Sequence, residues 1–216
     1  MVDRYIEEYK KGFVFTKEKD EASTLEVRGV HIRVEPSSFF DGRQRRQKAD
    51  VFLEKGEHKR SFECVDILSA RGLFAPITLC GRDYLFFKRT LYGFILLNAE
   101  TLQTAYEYFP KKVLEGEESF IVTEALAFGD FLIFAGCYWA ASYEYFACDP
   151  KSMRFFALSK KYGIESAGNG TMKVEGDTLL LTGECFNNEE QPREVFFRLT
   201  LEELAAHLQN EGLSEF

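Results

Sequence analysis

The stretch of the chain best equipped for chemistry or binding is a run of aromatic residues with one acid. Tyr138, Trp139, Tyr143 and Glu144 lie within residues 138–144, and Trp139 is the only tryptophan. Aromatic rings on a loop can stack on a sugar or a planar ligand, or they can anchor a partner protein. The alternative is a loop that folds its own aromatics over the end of a sheet. The sequence leaves both interpretations open.

Two other loops would join this cluster if the chain repeats in space. Residues 88–92 supply Arg89 and Tyr92, and residues 184–193 supply Glu184. Loops at matching positions of repeated units gather on one face of a fold. We therefore predict a ligand- or partner-binding site made of the following residues: Tyr138, Trp139, Tyr143, Glu144, Arg89, Tyr92 and Glu184.

The carboxylates of Glu144 and Glu184 suggest an enzymatic alternative. Glycoside hydrolysis uses one carboxylic acid as proton donor and a second carboxylate across the scissile bond. The distance between the two groups decides that chemistry, and the sequence does not supply it. A hydrolase acting on a carbohydrate-like substrate is thus the alternative to a non-catalytic binding module, which is the function we predict.

Other kinds of site find little support in the sequence. His31, His58 and His207 are far apart, and their surroundings lack the spacing of metal ligands. No glycine-rich phosphate loop of the P-loop or dinucleotide-binding type occurs. The five cysteines include no C-x-x-C pair, which predicts reduced and mostly buried thiols. We expect neither a metal nor a cofactor.

The charge of the chain narrows the range of partners. The formal net charge is −8, whereas a nucleic-acid-binding protein usually carries an excess of positive charge. The one basic cluster, residues 43–48, is expected to be a solvated loop between strands. No apolar run is long enough for a membrane span, and the first residues are charged rather than apolar. We expect a cytoplasmic protein whose partner is another protein or a small ligand.

The elements that must hold these residues recur along the chain. One set of turn residues precedes strands rich in large apolar residues, at intervals of 47 residues: Asp83, Asp130 and Asp177. A second set follows the next strand, at intervals of 51 residues: Asn98, Asp149 and Thr200. A period of about 40 to 50 residues is typical of propeller blades, each of which has four strands.

This repeat predicts a mainly β fold of antiparallel, blade-like units, either a small or incomplete β-propeller or, alternatively, a β-sandwich. We expect a single domain over residues 1–216 with units at about 12–68, 69–115, 116–163 and 164–200. Residues 200–203 (Thr-Leu-Glu-Glu) fit a capping box, which predicts a C-terminal helix over 201–211 where a strand was due. A short helix is expected over residues 3–11, and Pro36-Ser37-Ser38 is expected to end a strand.

Overall fold

The computed structural model describes residues 2–11, 14–19, 21–40, 45–65, 73–139, 141–164, 170–186 and 192–213. Contacts divide the chain into two compact units, Met1–Glu115 and Gly116–Phe216. This boundary lies between the second and third predicted repeat units, and the single domain expected from the length stays a prediction. No helix in the described ranges combines the length and the apolar character that crossing a membrane requires.

The first unit contains two antiparallel sheets built from strands that follow one another in sequence. Its elements are α1 (Val2–Lys11), β1 (Val14–Lys19), β2 (Ser23–Val27), β3 (Val30–Phe40), β4 (Arg45–Lys55), β5 (His58–Val65), β6 (Phe74–Leu79), β7 (Arg82–Lys88), β8 (Phe94–Asn98), β9 (Thr104–Tyr108) and α2 (Lys111–Leu114). The first sheet has the order β1-β3-β4-β5, with β2 also paired to β3. The second sheet is the four-stranded meander β6-β7-β8-β9.

The second unit repeats the meander. Its elements are β10 (Ile121–Phe128), β11 (Phe131–Cys137), β12 (Tyr143–Asp149), β13 (Arg154–Ala157), α3 (Leu158–Tyr162), β14 (Met172–Glu175), β15 (Thr178–Phe186), β16 (Pro192–Thr200) and α4 (Leu201–Glu211). The third sheet is β10-β11-β12-β13, and the fourth is β14-β15-β16. The predicted class is confirmed: the fold is mainly β, with antiparallel, blade-like sheets and a C-terminal helix.

The residues at intervals of 51, Asn98, Asp149 and Thr200, have the same structural role in three of the sheets. Each residue ends the third strand of its meander, and its side-chain oxygen accepts a backbone N–H from two or three residues further on. The shortest of these bonds is 2.8 Å for Asn98, 3.0 Å for Asp149 and 3.3 Å for Thr200. Short polar side chains stabilise turns and helix starts in the same way, by occupying an otherwise unsatisfied N–H. At Thr200 the result is the predicted capping box and helix α4.

The set of aspartates spaced by 47 is only partly a structural repeat. Asp130 and Asp177 occupy the second position of two-residue hairpin turns, each after a glycine whose φ is 58° or 63°. The corresponding turn of the second sheet is Cys80–Gly81, so the prediction is wrong for Asp83, which lies inside β7. There Asp83 accepts a 2.9 Å hydrogen bond from the Thr78 hydroxyl of the paired strand, an interaction unrelated to a turn.

Strand β3 runs through the proline that was expected to end it. The partner β2 pairs with β3 up to Val34, whereas β1 begins to pair at Ser37. Pro36 falls between these two neighbours, where its missing N–H leaves no ladder bond unmade. The loop prediction for residues 43–48 is also wrong from Arg45 onward, because these residues begin β4; residues 43 and 44 lie outside the described ranges.

The amino-terminal helix is confirmed and is held to the first unit by apolar and charged contacts. Val2 and Ile6 are buried on one side of α1. On another side, the Lys10 ammonium pairs with Glu63, which also accepts a 3.2 Å hydrogen bond from Lys48. Burial alone would raise the pKa of Glu63, but the hydrogen bonds and charges of the two lysines outweigh burial and lower it.

Each unit has its own apolar core. In the first unit, buried residues of the first and second sheets meet, among them Ile32, Val51 and Phe87. In the second unit, the third and fourth sheets pack together with α4, which contributes Leu204 and Leu208. Full burial of one such side chain stabilises a fold by about 1.5–3 kcal/mol. These cores fix the strands whose ends carry the candidate site.

Candidate functional site

The aromatic cluster lies at the end of the hairpin formed by β11 and β12. The strands pair in an unbroken register that ends with Cys137 opposite Tyr143. Beyond that pair, the N–H of Ala141 donates a 3.0 Å hydrogen bond to the carbonyl of Tyr138, which closes the connection. The register fixes which side chains surround the hairpin end: Tyr138 and Trp139 leave one strand where Tyr143 and Glu144 enter the other.

Tyr138 is anchored to the sheet below it. Its ring meets Phe120 edge to face, with centroids 5.6 Å apart, and Phe120 in turn packs against Phe146 at 4.6 Å. Gly136 permits this packing, because a Cβ there would lie 2.0 Å from the carbonyl oxygen of Ile121 and 2.7 Å from the Phe120 ring. The lack of a side chain at Gly136 therefore lets β10 and Phe120 approach the hairpin closely.

Trp139 and Tyr143 stand out from the hairpin end into solvent. Their exposed fractions are 46% and 39%, and only three other large apolar side chains in the described ranges are comparably exposed: Phe196, Leu201 and Leu213. Two of five such residues thus share one hairpin end. Two exposed aromatic side chains at one hairpin end make this end a candidate for a contact site.

Glu144 brings a half-buried carboxyl group to the same place. Burial raises the pKa of Glu144 above the ordinary value, and the charge of Lys160 on α3 opposes this effect without cancelling it. Burial and the Glu144 charge together raise the pKa of Tyr138, so its hydroxyl stays protonated near neutral pH. Helix α3 is fixed next to β12 because the Ser159 hydroxyl accepts a 2.8 Å hydrogen bond from the Tyr145 N–H.

Glu184, the other candidate carboxylate, lies on β15 in the fourth sheet. It is half-buried, and Glu194 of β16 is directly opposite. The third and fourth sheets are joined nearby, where the Tyr145 hydroxyl donates a 2.9 Å hydrogen bond to the carbonyl of Thr182. Burial, assisted by the charge of Glu124, raises the pKa of Tyr145 to about 12, which keeps that donor protonated.

The two candidates from the first unit, Arg89 and Tyr92, are buried rather than displayed on a loop. Arg89 is 5% exposed; its Nε donates to the Glu63 carbonyl at 2.8 Å, and its Nη2 reaches Asp3 at 2.7 Å. Its guanidinium also lies 5.2 Å from the centre of the Phe62 ring. Tyr92 is 7% exposed. Arg89 is therefore engaged by contacts within the first unit, and Tyr92 is buried there, so neither is available on an exposed binding surface.

A hydrogen-bonded network around His207 on α4 was not predicted from the sequence. The Tyr162 hydroxyl and imidazole Nε2 are 3.2 Å apart, and Nδ1 is 3.2 Å from a carboxylate oxygen of Glu211. The imidazole stacks on Phe156 at 4.8 Å. The signal in the sequence was the i, i+4 spacing of His207 and Glu211 on a predicted helix, which brings both to one face.

The hydrogen-bonded network around His207 connects two helices of the second unit. Burial, together with the charges of Glu203 and Glu211, raises the pKa of Tyr162, so its hydroxyl stays protonated. Hydrogen bonds from Lys161 and His207 lower the pKa of Glu211, which keeps this carboxylate ionised. The hydrogen bonds from Tyr162 through His207 to Glu211 thereby connect α4 to α3 on the surface of the second unit.

No metal centre emerges from the described ranges: nowhere in them do three or more His, Cys, Asp or Glu side chains come close enough to share an ion. All five cysteines are unpaired, but only Cys64 and Cys148 are buried, so the prediction of mostly buried thiols is wrong. Cys64 is fully buried, which raises its pKa to about 12 and leaves it a poor nucleophile.

Comparison with known proteins adds little to this description. No family model matches the chain, and no curated protein is significantly similar in sequence. Among solved structures, a GH43 endo-arabinanase from Bacillus licheniformis is similar over 88% of this chain and 77% of its own, with 11% sequence identity and a TM-score of 0.37. A similarity this weak carries no argument about function, so the site must be judged on its own geometry.

Proposed function

We propose that the protein is a non-catalytic binding module that holds a partner protein at the end of the β11–β12 hairpin. The observation that carries this proposal is the joint exposure of Trp139 and Tyr143 beside an anchored Tyr138. Tryptophan and tyrosine dominate the energetics of protein interfaces because they bury a large area at a small entropic cost. A hairpin end of this kind is suited to insertion into a pocket of a partner.

The framework of the hairpin is regular up to its last residue pair. The strand register is complete up to the Cys137–Tyr143 pair, and Tyr138 is packed against Phe120. A surface that is ordered beforehand loses less conformational entropy on binding, so more of the contact energy appears as affinity. We expect small backbone changes at the hairpin end on complex formation.

The half-buried carboxyl group of Glu144 indicates which chemical groups a partner would present to this site. Because burial disfavours its charged form, a basic group or N–H donor from the partner would stabilise the carboxylate and lower its pKa. Binding would then release a proton from the fraction of molecules in which Glu144 is protonated. We infer that the partner presents a positively charged or amide-rich segment beside an apolar pocket.

The experiment compares capture by four immobilised forms of the chain: wild type, Trp139→Ala, Tyr143→Ala and Leu201→Ala. Leu201 is a matched control because it is also a large apolar residue with an exposed side chain, at 38%, and it lies on α4 rather than on the hairpin. Quantitative mass spectrometry of proteins retained from source-cell lysate identifies the partner. Truncation of an interface hot spot weakens binding by at least about 2 kcal/mol, so both hairpin variants should retain far less partner than the control. Equal retention by all four forms would count against the proposal.

A hydrolase acting on a carbohydrate-like substrate is the second candidate, and one observation favours it. The raised pKa of Glu144 is what a general acid in glycoside hydrolysis requires. The test is release of reducing ends from a panel of polysaccharides by wild type and by Glu144→Gln. Turnover by wild type that is lost in Glu144→Gln would establish this alternative, whereas binding without turnover supports the first proposal.

We also propose that the protein works in the cytoplasm. All five of its cysteines are unpaired, and disulfides form readily in oxidising compartments but not in reducing ones. Two of the thiols, Cys64 and Cys148, are buried in strands of different units. Fractionation of source cells with an antibody to the chain tests this location.

A further inference from the structure

In the described ranges the fourth sheet has three strands, whereas the second and third sheets each have four. Those sheets continue from their third strands into β9 and β13, whereas the chain after β16 turns into α4 at Thr200. Throughout the described ranges, no strand pairs with the outer edge of β16. An open edge presents a row of backbone donors and acceptors that can pair with another strand.

Helix α4 connects β16 to the third sheet. The residue pair Phe155 and Leu213 forms an isolated antiparallel bridge, with N–H to carbonyl distances of 2.8 and 2.7 Å in the two directions. Leu213 follows α4, and Phe155 belongs to β13 of the third sheet. Leu213 therefore pairs with the outer strand of the third sheet rather than with β16.

The side chains of β16 divide cleanly between its two faces. Val195, Phe197 and Leu199 point inward and pack on the core of the second unit. Glu194, Phe196 and Arg198 are exposed; Phe196 is 51% exposed, and the Arg198 guanidinium lies 5.4 Å from the centre of its ring. The outward face thus presents an acid, an aromatic ring and a base at every second position.

We propose that β16 pairs antiparallel with β16 of a second copy of this chain, with the two-fold axis at Phe196. In this register Glu194 faces Arg198 of the second copy, Arg198 faces the second Glu194, and the two Phe196 rings meet at the centre. The interface is self-complementary, as a two-fold interface must be. It joins the two fourth sheets into one continuous six-stranded sheet.

The charges of β16 select this register over its neighbours. If the axis moved by one residue to Phe197, Glu194 would face Thr200 and Phe196 would face Arg198, and no opposite charges would meet. Charged residues on an edge strand normally oppose pairing. Here they instead favour the register centred on Phe196, in which acid meets base at both symmetry-related contacts.

The first test is the mass of the protein in solution as a function of concentration, measured by sedimentation equilibrium. Wild type should shift from monomer to dimer. Glu194→Arg and Arg198→Glu should each weaken dimerisation by at least about tenfold, because each substitution places like charges together at two symmetry-related contacts. The double variant that exchanges the two charges should return to within about threefold of wild type, since its pairs are again opposite.

The second test fixes the register by crosslinking. Phe196→Cys places two thiols opposite each other, where strand neighbours have Cβ atoms about 4.5–5.5 Å apart, and mild oxidation should give a covalent dimer. Glu194→Cys is the matched control, because its thiol and the symmetry-related one are four residues apart along the paired strands, about 13 Å. All variants carry Cys80→Ser to remove an exposed thiol.

Two results would overturn the proposal. One is a wild-type protein that stays monomeric over the whole concentration range, which would leave the edge of β16 to a strand from a different protein. The other is a dimer that is equally stable in wild type and in all charge variants and that crosslinks equally through either cysteine, which would place the contact on another surface. The hairpin variant Trp139→Ala should dimerise as wild type does, because Trp139 is not part of β16.

Discussion

Replacement of Arg89 by methionine should destabilise the first unit strongly, because the guanidinium is buried and makes three kinds of contact. Its Nε donates to the Glu63 carbonyl at 2.8 Å, its Nη2 meets Asp3 at 2.7 Å, and its plane lies over Phe62. Methionine matches the length of the apolar stem but supplies none of these contacts. The prediction also separates a structural role for Arg89 from the ligand-binding role that the sequence suggested.

The magnitude follows from the separate contacts. A hydrogen bond from a charged donor contributes about 1.5–3 kcal/mol, and the buried cation over the Phe62 ring adds about 1 kcal/mol. The ion pair adds little, about 0.5 kcal/mol, because the Asp3 side chain is 82% exposed and solvent screens it. The methionine side chain recovers part of the packing. We expect a net loss of about 3 kcal/mol from the free energy of unfolding.

The assay is urea unfolding followed by far-ultraviolet circular dichroism. With a slope of about 2 kcal/mol per molar urea, a loss of 3 kcal/mol moves the midpoint down by about 1.5 M. Asp3→Asn is the matched control, since it removes only the exposed partner, and it should cost about 0.5 kcal/mol.

Two results would refute this reasoning. If Arg89→Met lost less than about 0.5 kcal/mol, the buried contacts would not be what holds Arg89 in place. If Asp3→Asn were as costly as Arg89→Met, the ion pair rather than the buried hydrogen bond would dominate.

Three further predictions follow from single interactions. Thr200→Ala removes the hydroxyl that caps α4 and should lower the free energy of unfolding by about 1 kcal/mol, measured by urea unfolding. Because the pKa of Glu63 is lowered in the folded state, its stabilising contribution is present above the ordinary pKa of 4.5 and is lost as the pH falls through the folded-state pKa. Glu63→Gln should therefore make the free energy of unfolding, measured by urea unfolding, fall less steeply at acidic pH. Iodoacetamide should modify the exposed Cys80 in the native protein but Cys64 only after unfolding, as read by peptide mass spectrometry; early labelling of Cys64 would contradict its burial.

The strand pattern could be predicted from the sequence because the strands carry local signals. Alternating or continuous apolar runs, turn glycines and the Thr200 capping box act over a few residues, and the elements they predict are present. The residues that end third strands were found for the same reason: an Asn, Asp or Thr side chain bonds its own backbone nearby. Pro36 was wrongly predicted to end its strand. Whether a proline fits in β3 depends on where the neighbouring strands β1 and β2 begin and end, and the local sequence does not encode this tertiary arrangement.

The candidate site could be predicted only in part, for the same physical reason. Trp139 and Tyr143 were found because a hairpin end is defined by its own sequence. The burial of Arg89 depends on Asp3 and Glu63, which are distant along the chain, and no local pattern encodes those contacts. The hydrogen-bonded network around His207 was not predicted, because Tyr162, the partner of His207, belongs to another element.

The most direct test of the binding role is acrylamide quenching of the fluorescence of Trp139, with and without the captured partner. Since the chain has a single tryptophan, all tryptophan emission from it comes from the hairpin end, provided that the partner is expressed with its own tryptophans replaced. The proposal predicts that the exposed indole becomes protected and that the quenching constant falls as the complex forms. An unchanged quenching constant, in a sample where sedimentation shows the complex to be complete, would place the binding surface elsewhere.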